Sequence, residues 1–415
     1  MRIEIINTGT ELLLGNTLNT HAAWFGRELF KLGLRVSRQS TVPDGEAIHE
    51  VLTEAIMRAD AILVTGGLGP TSDDLTREIT AEVLGLDLIT DEAALRSIEA
   101  FFALRNYPMA DANRKQALVP VGADVLPNPN GTAPGVYIPP RLNGRSNCAI
   151  WLLPGPPREL HPMVHAEVVP RLCALSGIDR PVEVLELKFT GIGESDFHQG
   201  IDAQLAEISG LEYGYCAHVG EVDLRLIGET AVLEKAREIT LAKFSDFLVS
   251  DDGSSMEETL VKLLDQRGMT MAAAESCTGG LICHRMTNVS GSSRVFCEGF
   301  ITYANEAKIR SLSVPQEMIE REGAVSEAVA CAMAEGALAA SGACIAVAVT
   351  GIAGPSGGTP EKPVGTAWVA VALRGSATQA KRFFQPRNRK DFKQAVSQYA
   401  MNQVRRQLLD IPASR

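Results

Sequence analysis

The residues best suited to chemistry in this chain fall in two short runs. The first is Ala274-Glu275-Ser276-Cys277-Thr278-Gly279-Gly280, which follows an apolar stretch and precedes a helix-like run from Leu281. Ser276, Cys277 and Thr278 offer three nucleophiles. The glycines let a substrate approach the backbone, and the free N–H groups of a helix start favour an anion or a developing oxyanion. An ordinary strand-to-helix turn capped by Ser or Thr would have the same composition. No histidine is well placed to activate a hydroxyl, since His284 lies in the following helix. A lysine whose pKa is lowered by burial can act as base instead. Lys308, five positions after Tyr303 at a strand-to-helix junction, is the candidate. Cys277 stays an alternative nucleophile, although an apolar setting without a nearby histidine does not favour a thiolate.

The second run is Gly66-Gly67-Leu68-Gly69-Pro70-Thr71-Ser72-Asp73-Asp74. Its glycines allow phosphates to reach backbone N–H groups, Thr71 and Ser72 can cap a helix or bind phosphate oxygens, and Asp73 and Asp74 can hold a hard divalent cation through oxygen ligands. A capped helix start with acids favoured by the helix dipole is the structural alternative. Two more loops suit the same site: Asn128 to Gly135, a turn cluster, and Pro154-Gly155-Pro156-Pro157-Arg158-Glu159, a proline-stiffened loop offering one base and one acid.

Strands and helices must hold these loops. Ile3–Ile6, Leu34–Ser37, Ala61–Thr65 and Ala149–Leu153 read as strands, with helical spacing over Thr20–Leu32 and Ile48–Arg58. This alternation predicts an α/β fold with a mostly parallel sheet in a three-layer αβα arrangement, and ligands at the C-terminal ends of the strands. Residues 171–250 predict a small α+β module, with a strand from Val182 to Phe189, a helix opened by Gly191-Ile192-Gly193-Glu194-Ser195-Asp196, two further strands and a helix from Val232. Ser250 to Ser255 is the best linker candidate. Residues 256–415 alternate again. A strand ends at Thr350-Gly351, and Arg387, Arg389 and Lys390 form a basic cluster before a long terminal helix. Arg389 is the candidate for a substrate phosphate, reaching a neighbouring subunit's site.

The chain has 415 residues, too many for one core, and is 45% hydrophobic and 21% charged, which is a folded and soluble composition. A net charge of −11 argues against nucleic acid and anionic membranes as partners. Eight cysteines without a C-x-x-C pair fit a reducing, cytoplasmic setting. The first residues enter a strand at once, unlike a signal peptide.

The Gly66–Asp74 run, the Asn130-Gly131-Thr132-Ala133-Pro134-Gly135 loop and Pro154–Glu159 resemble the molybdopterin-binding-fold domain of the CinA (competence/damage-inducible) family. Ala274–Gly280 resembles that family's C-terminal amidase signature, so the resemblance spans essentially the whole chain. It implies three parts: residues 1–170 as a metal-dependent ADP-ribose pyrophosphatase, 171–250 as a KH-like module, and 256–415 as a nicotinamide mononucleotide amidohydrolase. For the first domain it puts Asp73, Asp74 and Glu159 near a divalent metal, Mg²⁺ or Co²⁺. Thr8, Glu11, Gly67, Gly69, Thr71, Gly131 and Thr132 stand around the diphosphate. For the last domain it implies Ser276 as nucleophile, Lys308 as base and Tyr303 as proton relay or orienter, with no cofactor. Thr278, Gly279, Gly280, Thr350 and Gly351 hold the substrate and its oxyanion. A homodimer in the cytoplasm is the implied assembly. The alternative is a non-enzymatic nucleotide sensor or scaffold linked to competence and DNA damage.

Overall fold

A computed structural model of the chain describes residues 1–142, 147–177 and 183–411. It divides into two compact units, Met1–Glu183 and Val184–Arg415.

In the first unit, β1 (Ile3–Thr8), β2 (Val36–Val42), β3 (Ala61–Thr65), a short hairpin of β4 (Leu88–Thr90) and β5 (Leu118–Pro120), β6 (Asp124–Leu126), β7 (Gly135–Ile138) and β8 (Ala149–Leu153) follow in order. The main sheet runs β2-β1-β3-β8-β7-β6. Its first four strands are parallel, and β7 and β6 add an antiparallel edge. The period-two pattern of β1, β3 and β8 splits their apolar residues between two faces. Ile3, Ile5, Leu63 and Trp151 pack with Phe25, Leu29, Leu160 and Leu172 on one side. Ile6, Ile62, Val64 and Ile150 pack with Ile48, Leu52 and Leu84 on the other. Helices therefore cover both faces, as three-layer packing requires. The boundary expected after residue 170 moves: it would cut the helix Val169–Ser176, whose Leu172 belongs to this core.

The second unit holds two sheets. β9 (Glu183–Thr190), β10 (Glu212–His218), β11 (Glu221–Gly228) and β12 (Leu248–Ser250) pair in the order β10-β11-β9-β12, with the helices Glu194–Ala206 and Thr230–Phe244. Val182, expected to start β9, lies outside the described residues. β13 (Met271–Glu275), β14 (Phe296–Ile301), β15 (Ile345–Gly351), β16 (Thr366–Leu373) and β17 (Gln379–Phe384) form a five-stranded sheet ordered β14-β13-β15-β16-β17. β13 pairs in parallel with β14 and β15, so three C-terminal ends open on one edge. The alternate residues Met271, Ala273, Ile345 and Val347 face the helices Met256–Gln266 and Arg389–Leu408. On the opposite face Ala272, Ala274, Ala346 and Ala348 let the helix Glu327–Ser341 sit close through Ala330, Ala334 and Ala337.

The expected linker is an ordered turn. Lys262 donates to Asp252 and to the Ser254 hydroxyl, both at 2.7 Å, and Ser250 Oγ donates to the Ser254 carbonyl at 2.6 Å. Ser255 then starts the next helix in a reciprocal capping box with Glu258. No helix among the described residues is long and apolar enough to cross a membrane.

Candidate active sites

The three parallel strand ends of the five-stranded sheet assemble the first site. β13 is wholly buried and delivers Ser276, whose N–H continues the ladder to the Val349 carbonyl at 3.0 Å. β14 ends at Ile301, and Thr302 N–H donates to the Glu275 carbonyl at 2.9 Å. The chain then turns through Tyr303 into the helix Asn305–Leu312, which carries Lys308. Lys308 is 1% exposed and Ser276 8% exposed. Lys308 Nζ lies 3.2 Å from Ser276 Oγ, 2.9 Å from the Thr302 carbonyl and 3.3 Å from the Tyr303 carbonyl. Burial lowers the Lys308 pKa, with Cys277 and Glu306 acting weakly in the other direction. An amine held by two carbonyls and facing a hydroxyl is the arrangement a general base needs. Burial pushes the Cys277 thiol up to about 12, so the thiolate is strongly disfavoured.

Four expected roles change. The helix start after Gly280 does not offer all of its N–H groups freely. The fully buried Glu275 carboxylate accepts from Gly280 at 2.9 Å and from Cys283 at 2.8 Å. Thr350 donates its hydroxyl to the Ala324 carbonyl at 2.8 Å and so has no proton left for an oxyanion. Tyr303 is 61% exposed, and its hydroxyl accepts from Arg389 at 2.9 Å, while only its backbone carbonyl reaches Lys308. Arg389 also donates to the Gly354 carbonyl of the same chain at 2.9 Å, which ties it beside its own Tyr303. Gly279 and Gly280 both adopt positive φ, 61° and 93°, and a Cβ on Gly280 would stand 2.9 Å from Ile301. Gly351 lies against β16, where a Cβ would meet the Thr366 carbonyl at 2.8 Å. Thr278 is fully buried, and its hydroxyl has no partner among the described residues.

The second site is a cleft of about 580 Å³ at the C-terminal ends of β1, β3 and β8. Thr8, Glu11, Gly67, Gly69, Asp73, Asp74, Thr132 and Glu159 line it. Thr71 and Gly131 do not. Thr71 instead gives its N–H and hydroxyl to Asp74, and Lys115 clamps this turn through the Thr71 and Asp74 carbonyls, both at 2.8 Å. The glycines make room for acids: a Cβ on Gly69 would stand 2.3 Å from Asp74 Oδ2, and one on Gly131 would stand 1.9 Å from Glu159 Oε2. That Glu159 oxygen accepts from Asn128 Nδ2 at 2.9 Å. Asp73, Asp74 and Glu159 do not converge as a cage, and among the described residues no three His, Cys, Asp or Glu side chains cluster as metal ligands. The donor set is all oxygen. Asp73 with the free oxygen of Asp74 suits a hard cation that takes its other ligands from water and substrate phosphates, the usual manner of Mg²⁺.

Two family models match the two parts that carry these sites. Residues 253–408 match the family model described as "CinA C-terminal domain", and residues 4–174 match the "probable molybdopterin binding domain". A CinA-like protein of Akkermansia muciniphila is 49% identical over 401 residues, covering 97% of this chain and 96% of that one. The chain belongs to the CinA family. A CinA-like protein of Citrifermentans bemidjiense, 41% identical over 413 residues, covers 99% and 98% of the two chains.

In this CinA-family chain, three residues near the sites escape a reading by residue type. Glu275 looks like the end of an apolar strand, and its carboxylate shows a purpose only when Gly280 and Cys283 fold back onto it. Lys393 sits in the terminal helix, with Nζ 3.6 Å from where a Gly279 Cβ would lie. His21 lines the N-terminal cleft, and burial lowers its pKa. The distant sequence positions of Lys393 and His21 carry no motif. The one available signal was for Glu275, a lone charge closing a run of buried small residues.

Proposed function

We propose that the chain is a bifunctional hydrolase of pyridine-nucleotide salvage that works as a cytoplasmic homodimer. The C-terminal site hydrolyses the carboxamide of nicotinamide mononucleotide to nicotinate mononucleotide and ammonia. The N-terminal cleft hydrolyses ADP-ribose to AMP and ribose 5-phosphate with a divalent cation.

The observation that carries the amidase reading is the buried Lys308 Nζ 3.2 Å from Ser276 Oγ. Neutral Lys308 takes the Ser276 proton as Oγ bonds to the carboxamide carbon. The carbonyl oxygen becomes the oxyanion, for which the backbone N–H groups of the turn after Ser276 are the nearest donors in sequence, with Thr278 buried beneath them. Protonated Lys308 returns its proton to the nitrogen as the C–N bond breaks, and ammonia leaves an acyl-serine. Lys308 then deprotonates the water that cleaves this ester, releasing the acid and restoring Ser276. Lys393 beside Gly279, with Arg389 at the rim, supplies positive charge for the nucleotide phosphate.

For the N-terminal cleft, Asp73 and Asp74 are the residues to hold the cation, which would neutralise the diphosphate and polarise a water. Thr8 and the glycine turn at residues 66–69 would receive the phosphates, and Glu159 is held for contact by Asn128.

The test is ammonia release from nicotinamide mononucleotide by the purified chain and by Ser276→Ala, beside ADP-ribose hydrolysis with and without divalent metal by Asp73→Ala. The proposal expects each variant to lose one activity and keep the other. Amide turnover that survives Ser276→Ala would remove the nucleophile, and no turnover of either substrate would favour the sensor or scaffold class.

A further inference from the structure

The second unit holds a cavity that neither reaction uses. It has a volume of about 450 Å³ and lies between the small sheet's loops and the terminal helix. Two glycine turns close on that helix without side chains. Gly191, with φ 81°, would place a Cβ 3.2 Å from Asn402 Nδ2, and Gly220, with φ 84°, would place one 3.1 Å from Gln398 Cγ. Gln398 and Asn402 are one turn apart in the helix Arg389–Leu408, so they share a face.

The orientation of both amides is set by arginines. Arg285 Nη2 donates to Gln398 Oε1 at 2.6 Å, and Arg405 Nε donates to Asn402 Oδ1 at 3.0 Å. A guanidinium has only donors, so each amide must turn its oxygen to its arginine and its NH₂ the other way. Gln398 is 1% exposed, and its Nε2 is buried without a partner among the described residues. Glu221, at the start of β11, lines the same cavity, and its Oε1 is likewise buried and unpaired. Buried donors and acceptors are normally paired, so a wall holding one of each unpaired calls for a group that pairs with them.

We propose that this cavity is a ligand site for an uncharged, planar heterocycle bearing an acceptor atom beside an N–H donor, the edge common to nucleobases and aromatic carboxamides. The acceptor meets the Gln398 and Asn402 amides and the donor meets Glu221. The rings of Phe383 and Tyr399, a tilted pair with centroids 4.9 Å apart, give an aromatic wall. Glu194 and Glu221 line the cavity together with Arg387 and His218, so its wall carries both signs and suits an uncharged ligand better than a free phosphate. The volume suits a base or nucleoside.

Calorimetric titration of the full chain with adenine and, separately, nicotinamide tests this and distinguishes the two sources. One of them binds saturably at one site, and excess inorganic phosphate does not displace it. Gln398→Glu keeps an oxygen for Arg285 while removing the donor, and Glu221→Gln replaces an acceptor by a donor. Each weakens binding about tenfold or more, the loss of one good hydrogen bond to a buried partner, while the chain stays folded and the Ser276-dependent rate is unchanged. No binding of either probe, displacement by phosphate, or binding that both variants retain overturns the proposal.

Discussion

The two candidate sites solve opposite problems. At the C-terminal site the reactive groups are dry: Ser276 and Lys308 are buried, and the lysine has no carboxylate salt-bridge partner among the described residues. At the N-terminal site Asp73 is exposed and Asp74 half-buried and tethered by Thr71 around an open cleft, with Glu159 alone buried and held by Asn128. The difference follows from the chemistry proposed. A serine hydroxyl needs a base whose proton affinity has been lowered, and burial is what lowers it in a lysine. Diphosphate chemistry needs ionised oxygens that a cation and a charged substrate can reach, and burial would neutralise them. One site is thus finished before substrate arrives, and the other is completed by it.

The largest effect expected is at Lys308. Lys308→Met lowers amidase turnover by about 10³-fold or more, as loss of a general base paired to its nucleophile does, while ADP-ribose hydrolysis is unchanged. Stability goes the other way. The folded pKa lies below the ordinary 10.5, so between the two values the unfolded chain binds the extra proton. Stability from this group therefore rises as pH climbs through that window, and the burial cost is fully present below it. Lys308→Met removes that cost and loses two hydrogen bonds to carbonyls, so stability at pH 7 is equal or higher, within about 2 kcal/mol. Activity of the unaltered chain follows the same proton. The ratio kcat/KM rises on a limb whose midpoint falls below 10.5. Denaturant melts and a pH–rate profile check both, and a marked loss of stability in Lys308→Met would mean that the lysine is structural.

A smaller loss is expected at Glu275, which sharpens what a pre-formed site requires. Its two oxygens hold the N–H groups of Gly280 and Cys283, so it sets the path of the loop from Ser276 to Gly280 without touching Lys308 in any recorded contact. Glu275→Gln keeps one acceptor and brings a donor against a donor. The expected cost is about 1–3 kcal/mol of stability and about 10- to 100-fold in kcat, with KM for nicotinamide mononucleotide little changed. An equal fall in activity and in folded fraction would reduce Glu275 to a stability residue.

Much of this was legible in residue order. Ala61–Thr65 and Ala149–Leu153 are legible at their observed bounds, because uninterrupted apolar runs of strand length mark a sheet buried on both faces. Edge strands were harder. β2 was expected at Leu34–Ser37 but runs from Val36 to Val42, its Ser37, Arg38 and Gln39 facing solvent. β17 carries Lys381 and Arg382, and these charges hide its strand pattern. The Ser250–Ser255 stretch has a linker's composition, yet Ser250 and Lys262 bind its polar groups into an ordered turn. At the sites, residue type announced capacity but not direction. Thr350 and Tyr303 can donate and accept wherever they stand, and only the fold says that their hydroxyls go to Ala324 and Arg389. Lys308 was different, since a lysine near a serine without a histidine has few other purposes once it is buried.

The smallest effect on stability is expected where the N-terminal cleft keeps its acids tethered. A Cβ at Gly131 would fall 1.9 Å from Glu159 Oε2, but the clash is with the end of a flexible side chain and not with backbone. Gly131→Ala therefore leaves the fold within about 1 kcal/mol of the parent while pushing the carboxylate off Asn128 and out of its place in the cleft. ADP-ribose hydrolysis drops about tenfold, and amidase activity does not move. Gly67→Ala is the contrast, because its Cβ would meet the Thr76 side chain at 2.0 Å at φ 65°, where the buried start of the helix Thr76–Leu84 has no room to give. A Gly131→Ala melting curve as depressed as that of Gly67→Ala would show that the Asn128–Glu159 pair holds the fold and not the substrate.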